Sequence, residues 1–400
     1  MTPNDQTPKP IRLLRVTHSL RRESGGPSES VRRSSLALAR LGHQVEIATL
    51  DRPEDFEPEA ELTVHCLGTE TSSYGYTPAL EPWLTRHRAR FDAVLVHGLW
   101  QFQGWGTYRT LRASDTPYLV FPHGMLDPWF RKNYRLKHAK KQMYWWLREG
   151  RVLRTAAAVC FTCEEERRLA RESFWPYQVT ERVVAYGTAA PGGSTEVQGT
   201  AWNAYCPDLK GRPFLLFLGR IHPKKGIDLL LHAYAEVFAK VPNAPVLVIA
   251  GPTEDAAYEK NMRMLAASTL AADAVIWPGM LSGDVKWGAL RMSEAFVLTS
   301  HQENFGIAVA EALACGTPVL ISRQVNIWRE VVGDGAGLVA ENTVTGATEL
   351  LATWSQLSST DRWQMGEAAT RCFQQRYEIT RAAESLVEAV RECVGKSAVR

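Results

Sequence analysis

The stretch HQENFGIAVAEALACGTPV, residues 301–319, decides how the second half of the chain is read. It follows directly on one short apolar run, AFVLTS, and its last two residues open another, PVLIS. That spacing predicts strand, loop, helix and strand, the repeating unit of a parallel sheet. The helix is predicted over 306–315, with Gly316 as its stop and Pro318 forbidding continuation. Glu303 then precedes the helix and Glu311 lies inside it, eight positions on. The amides of Asn304, Phe305, Gly306 and Ile307 form the first turn. Their N–H groups lack partners within the helix, and together with the helix dipole they favour an anion such as phosphate. Gly306 lets the backbone approach that anion closely. Carboxylates do not hold phosphate, but on either side of a phosphate cradle they suit neutral hydroxyls, as a sugar and a ribose offer. The competing reading is that both glutamates are solvated helix formers.

Working outward, the same alternation fills the chain. IRLLRVTH (11–18), QVEIATL, DAVLVHG (92–98) and PYLVFPHG (117–124) are apolar runs in the first half. PFLLFLGR, APVLVIAG, AVIWPG, AFVLTS and PVLIS continue the series in the second. Short β-rich runs separated by helical patterns imply parallel sheets made of βαβ units. The pattern breaks around 188–212, where TAAPGGSTEVQG reads as a linker. The expected organisation is an N-terminal domain over 1–190, with 1–10 disordered, then a linker over 191–212. A second domain over 213–370 and C-terminal helices over 371–400 complete it. Four hundred residues suit two domains of this size.

Two more loops carry chemistry. In FLGRIHPKKGIDLLLHAY, Arg220 and Lys225 follow a buried strand, where a guanidinium and an ammonium can clamp a diphosphate. Lys224 fits ordinary surface charge better. The first strand leads through Gly25-Gly26-Pro27 into a helix, the position of a dinucleotide-binding loop. It lacks GxGxxG, and no acidic residue ends the next strand, so a nicotinamide dinucleotide is not the expected ligand. GDGAG at 333–337 does not open a helix after a strand and reads as a loop.

These motifs, in this order and spacing, resemble those of the GT-B glycosyltransferases, specifically the family-four group of retaining, nucleotide-sugar-dependent enzymes. The likeness runs from Gly25-Gly26 to the C-terminal helices and is strongest over 213–340. It implies an α/β fold of two Rossmann-like, doubly wound domains facing across a cleft, with C-terminal helices crossing back to the first. It also implies transfer of a hexose or related sugar from a UDP- or GDP-linked donor to a glycan or lipid-linked glycan, as in cell-surface polysaccharide or glycolipid synthesis. By the same resemblance Glu303 contacts hydroxyls of the transferred sugar and Glu311 the ribose. Arg220 and Lys225 hold the diphosphate, amides of Asn304, Phe305, Gly306 and Ile307 its oxygens, and Leu281 lies beside the base. Gly25 and Gly26 close over the donor, and His123 stands near the sugar, with His97 the weaker match. The catalytic set is then Glu303, Arg220, Lys225 and His123. Such enzymes are discussed in terms of same-face attack with the leaving diphosphate taking the acceptor proton. No Asp-x-Asp occurs in the chain, so no metal or other cofactor is expected. A sugar-nucleotide epimerase or hydrolase on the same fold, and a non-catalytic nucleotide-sugar-binding protein, are the alternatives.

Composition narrows the setting. Net charge is +3, with 27 Lys and Arg against 22 Asp and Glu in the first 200 residues, too weak an excess to argue for nucleic acid. No apolar run reaches the ~20 residues that span a bilayer, and the polar start MTPNDQTPKP lacks a signal-peptide core. Seven scattered cysteines suit reduced thiols in a cytoplasm. Cys160 and Cys163 form a CxxC, but no second pair completes a zinc site. The segment 129–154 holds nine Lys and Arg, one acid and six aromatics. It reads as a basic face toward an anionic membrane or the acceptor, on a protein peripheral to the cytoplasmic side. Tyr144, Trp145, Trp146 and Leu147 are expected to be core residues beneath that face.

Overall fold

A computed structural model of the chain describes residues 9–21, 26–56, 60–69, 72–129, 131 and 135–397. The expectation of disorder over 1–10 concerns mostly residues outside this set. The chain divides into two compact units, Met1–Tyr186 with Ile379–Arg400, and Gly187–Glu378.

The first unit is built on seven strands: β1 (Arg12–Thr17), β2 (Gln44–Thr49), β3 (Thr63–Cys66), β4 (Ala93–His97), β5 (Tyr118–Phe121), β6 (Ala158–Phe161) and β7 (Glu181–Val183). Their order is β3-β2-β1-β4-β5-β6-β7, and every pairing is parallel. The second unit repeats the plan with β8 (Phe214–Leu218), β9 (Val246–Ala250), β10 (Val275–Gly279), β11 (Ala295–Leu298), β12 (Val319–Ser322) and β13 (Gly337–Ala340). Their order is β10-β9-β8-β11-β12-β13, again parallel throughout. Each sheet is doubly wound, and its central strands read as unbroken apolar runs because helices cover both faces. FLLFL of β8 and AVLVH of β4 are buried along their whole length.

Two boundaries differ from the sequence expectation. The stretch 191–212 contains the helix Thr195–Tyr205, capped by the Ser194 hydroxyl accepting from the Glu196 amide at 3.2 Å. That helix packs on the helix Gly283–Met292 of the same unit. A Cβ at Gly288 would lie 2.1 Å from the Gln198 carbonyl oxygen, so the two backbones touch. The glycine that admits this approach is Gly288 on the partner helix; of the stretch's own glycines, Gly192 has open space around it and Gly199 meets Met292 Sδ at 3.5 Å. Trp202 locks the contact, fully buried with its ring 5.5 Å from that of Phe214. At the other end, the returning segment begins at 379 rather than 371. The helix Ser359–Cys372 belongs to the second unit, and the helix Ile379–Ser397 packs on Gly26–Arg40 in the first. Thr188 bonds the Tyr377 carbonyl at 2.9 Å, so the two stretches beside the unit boundary run side by side.

A linker residue could be truncated without loss, whereas a buried tryptophan leaves a cavity. Trp202→Ala is expected to lower stability by about 3–5 kcal/mol, measured by denaturant unfolding. An unchanged midpoint would return 191–212 to the status of a linker.

Candidate active site

Strand order reverses between β8 and β11 in the second unit and between β1 and β4 in the first. Open parallel sheets take ligands beyond the carboxyl ends of the strands at such a reversal. The loops singled out from sequence leave β8 and β11.

The two loops are bound to each other. The loop after β8 closes with the short turn Pro223–Lys225, whose His222 ring accepts from the Lys224 amide at 3.1 Å. Gly226 follows with φ +65°, and a Cβ there would stand 2.1 Å from the Thr299 carbonyl oxygen. Only glycine fits that approach. The Thr299 hydroxyl donates to the Gly226 carbonyl at 2.7 Å. The His301 amide and the Ser300 hydroxyl both donate to the Lys224 carbonyl, at 2.8 and 2.9 Å. The consequence is an ion pair between Lys225 Nζ and the Glu303 carboxylate. The resemblance assigns these groups to different parts of one ligand; the fold puts them in direct contact. Glu303 is fixed from the other side too. Its amide donates to the Gln324 carbonyl at 2.9 Å, and its carbonyl accepts from Asn326 at 3.0 Å.

The helix that follows is Ile307–Ala314, with Gly306 (φ +76°) as its N-cap. Its first bonds run from Val309 and Ala310 to the Gly306 carbonyl, at 2.8 and 3.2 Å. Gly306 and Ile307 therefore sit at the helix start, while Asn304 and Phe305 belong to the lead-in rather than the first turn. Asn304 Oδ1 accepts from Asn326 at 3.3 Å, and Phe305 is buried edge-on to Tyr377 at 5.4 Å. The left-handed Gly306 is what delays the helix, since its backbone cannot continue an α-turn.

Glu311 is not a solvated helix residue. It is buried, and its Oε1 accepts from Lys286 Nζ at 2.7 Å. Lys286 lies over the Trp287 ring, 4.1 Å from its centroid, and both side chains of the pair are largely covered. Lys286 gave no sequence signal, because one lysine in a helix reads as surface charge and its partner is 25 positions away. Leu281, in the short turn that joins β10 to the helix Gly283–Met292, is buried. Arg220 is exposed and pairs with Glu254 at 3.0 Å, on the loop after β9. Like Glu311, it pairs with a residue outside the set expected from sequence.

In the first unit, Gly25 lies outside the described residues, and Gly26 is already the first residue of its helix. An acidic residue does follow β2 after all, two positions past the strand. Asp51 is buried and accepts from the Leu20 amide and the Thr49 hydroxyl, both at 2.7 Å. Its carboxylate holds the loop after β1.

His97 and His123, at the ends of β4 and β5, are joined Nδ1 to Nε2 at 3.0 Å with nearly parallel rings. His123 adopts φ +50°, held by the Glu166 carboxylate accepting from the Gly124 amide at 2.6 Å. Arg15 is buried in β1, with Nη1 bonded to the Ser34 hydroxyl at 2.7 Å. Burial, and then the Arg15 guanidinium, push the His123 imidazole down to about 4. His97 is lowered well below its ordinary value by burial, Arg15 and His123. Both rings are neutral at physiological pH, so each can offer one donor and one acceptor. The CxxC is structural: Cys160 is buried in β6, and Cys163 caps the helix Glu164–Ala170, accepting from Glu166 at 3.4 Å.

Two outcomes follow from these charges. Removing Lys286 strands a buried carboxylate, so Lys286→Met is expected to cost about 3–5 kcal/mol. Lys286→Met/Glu311→Gln should recover part of that; strictly additive losses in denaturant unfolding would contradict a coupled pair. For the histidines, the unfolded chain binds protons near pH 6.5 and the folded His123 only near 4. Stability is then full above pH 6.5 and falls as pH drops toward 4, by up to about 3 kcal/mol. His123→Gln should flatten that fall, and an identical pH profile in the variant would refute it.

Comparison with known proteins agrees with this architecture. Residues 207–371 match the model of glycosyl transferases group 1, and residues 25–187 match the glycosyl transferase 4-like domain. The D-inositol 3-phosphate glycosyltransferase of Acidothermus cellulolyticus is 32% identical over 132 residues, 32% of this chain and 30% of the relative. That of Frankia alni is 38% identical over 128 residues, 30% of this chain and 31% of the relative. These alignments span about a third of the relatives' own length. Among solved structures, a sucrose-phosphate synthase from Thermosynechococcus elongatus superposes with TM-score 0.74 at 18% identity, covering 95% of this chain and 98% of the other. Anabaena HepE in complex with UDP and glucose superposes with TM-score 0.72 at 14% identity, covering 96% and 100%. The chain belongs to the GT-B glycosyltransferases of the group 1, family-four type.

Proposed function

We propose that this glycosyltransferase moves a hexose or related sugar, with retention, from a UDP- or GDP-linked donor to a glycan or lipid-linked glycan. The setting is the synthesis of a cell-surface polysaccharide or glycolipid, by a cytoplasmic protein peripheral to a membrane. The observation that carries the reading is Lys225 beside Glu303 at the strand reversal, with the start of the helix Ile307–Ala314 next in the chain and Glu311 on that helix. The complex of HepE with UDP and glucose, and the relatives named for inositol phosphate, support a nucleotide-sugar donor and a hydroxyl-bearing acceptor.

In this reading a donor diphosphate competes with Glu303 for Lys225. The ammonium turns to the phosphate, and the freed carboxylate accepts from hydroxyls of the transferred sugar. Arg220 and the amides at Gly306 and Ile307 add positive potential where charge develops on the leaving diphosphate, which is electrostatic catalysis. Glu311, held by Lys286, accepts from the ribose. Leu281 lies against the base, and Gly25, Gly26, Asn304 and Phe305 border the donor. We assign His123, kept neutral, to a hydroxyl of the sugar. No metal is required, because the cations above neutralise the leaving group. Residues 129–154 face an anionic membrane.

A panel of nucleotide sugars, scored by thermal stabilisation and by turnover with and without glycan acceptors, tests this. The true donor at a hundred times its dissociation constant adds about 2.7 kcal/mol to stability. Transfer should persist in a chelator. A new nucleotide sugar formed without acceptor would point to an epimerase, and transfer restored only by Mg²⁺ or Mn²⁺ would overturn metal independence. No response to any donor would refute the function.

A further inference from the structure

The helix Arg135–Tyr144 has no buried residue. It carries Arg135, Lys137, His138, Lys140 and Lys141 and no acid. Its apolar positions face outward. Leu136 is 84% exposed and Met143 is exposed, and with Lys140 they form one stripe at helical spacing that continues to Leu147. The expectation that residues 144–147 are core holds only in part. Trp145 is buried and Tyr144 half-buried, while Trp146 and Leu147 are exposed. Four consecutive helical positions sweep most of the way round the axis, so they cannot all face one core.

A second segment extends the patch. Trp175 is 74% exposed, and its carbonyl accepts from Trp146 Nε1 at 2.8 Å and Gln142 Nε2 at 2.6 Å. Beside it lies a groove of about 820 Å³ lined by Arg131, Arg135, His138 and Arg171. Its one carboxylate, Glu172, is already bonded to Arg168 at 2.9 Å. The single acid of 129–154, Glu149, is fully buried, and burial pushes its carboxyl up to about 8. That stretch therefore presents no negative charge to solvent at neutral pH. A merely solvated charged face would not expose two tryptophans, and a protein-facing core would not be ringed by lysines. Indole rings and cationic stems together suit the boundary between lipid headgroups and acyl chains.

We propose that this face docks on a bilayer containing anionic phospholipid, with a headgroup phosphate seated in the groove between Arg131, Arg135 and His138. Leu136, Met143, Trp146 and Trp175 enter the interfacial region. This rests on the reading of 129–154 as membrane-facing and adds the Trp175 segment and the phosphate groove.

The test is co-sedimentation of the full chain with vesicles of phosphatidylcholine, with and without phosphatidylglycerol. Binding is expected only with the anionic lipid. Arg135→Glu/Lys140→Glu and Trp146→Ser/Trp175→Ser should each weaken it at least ~10-fold. Thermal midpoints and donor hydrolysis in vesicle-free solution should stay unchanged, since all four side chains are exposed. No binding to anionic vesicles, equal binding by either variant, or equal binding to pure phosphatidylcholine overturns the proposal. So does a concentration-dependent dimer that the tryptophan variant abolishes, which would make a second copy the occupant. Displacement by inorganic phosphate beyond a chloride control matched for ionic strength would mark a free-phosphate site and also overturn it. Donor hydrolysis is read separately, so failure of the transferase reading would show there and not in the vesicle assay.

Discussion

The loops after β8 and β11 depend on one close approach. Gly226 and Thr299 bring the turn after β8 against the loop after β11, at a distance that excludes any side chain. Because three hydrogen bonds then span the two loops, Lys225 and Glu303 meet although 78 positions separate them. The strand order places those loops side by side at the reversal point of the sheet, so topology supplies the neighbours and glycine supplies the contact. The loop after β12 holds Glu303 from behind, through Gln324 and Asn326. The carboxylate is thus aimed by backbone bonds on either side, a preorganised arrangement whose orientation costs little when a ligand arrives.

Charge is handled differently in the two units. In the second, anions are matched by cations, Glu303 with Lys225 and Glu311 with Lys286. In the first, a buried Arg15 sits near two imidazoles and, with burial, keeps them uncharged. A neutral histidine suits hydroxyl recognition, since it donates and accepts without competing for phosphate. Salt-bridged carboxylates suit exchange, because an incoming anion can take the cation and release the acceptor.

Much of this was readable before the structure. Alternating strand and helix patterns give both sheets, and FLGRIHPKKG and ENFGIAVAEALACGTPV give the two loops that meet at the strand reversal, because local patterns and glycine positions carry that information. What was hidden arises from tertiary contact. Lys286 is one unremarkable lysine until the fold lays it on Glu311. The helix Thr195–Tyr205 reads as a linker because Gly192 and Gly193 signal a turn just before it, while the glycine that admits it, Gly288, lies far along the chain. Asp51 sits two residues past its strand, and only the loop it holds explains it. Trp146 and Leu147 cannot be told from Trp145 without the helix phase.

The most direct test compares equilibrium binding of the donor with that of its free nucleoside diphosphate. If Glu311 holds the ribose and Glu303 the sugar, Glu311→Gln weakens both ligands alike, while Glu303→Gln weakens only the sugar-bearing donor. Equal loss for both ligands in Glu303→Gln, or no loss for the diphosphate in Glu311→Gln, would contradict the division of labour between the two carboxylates.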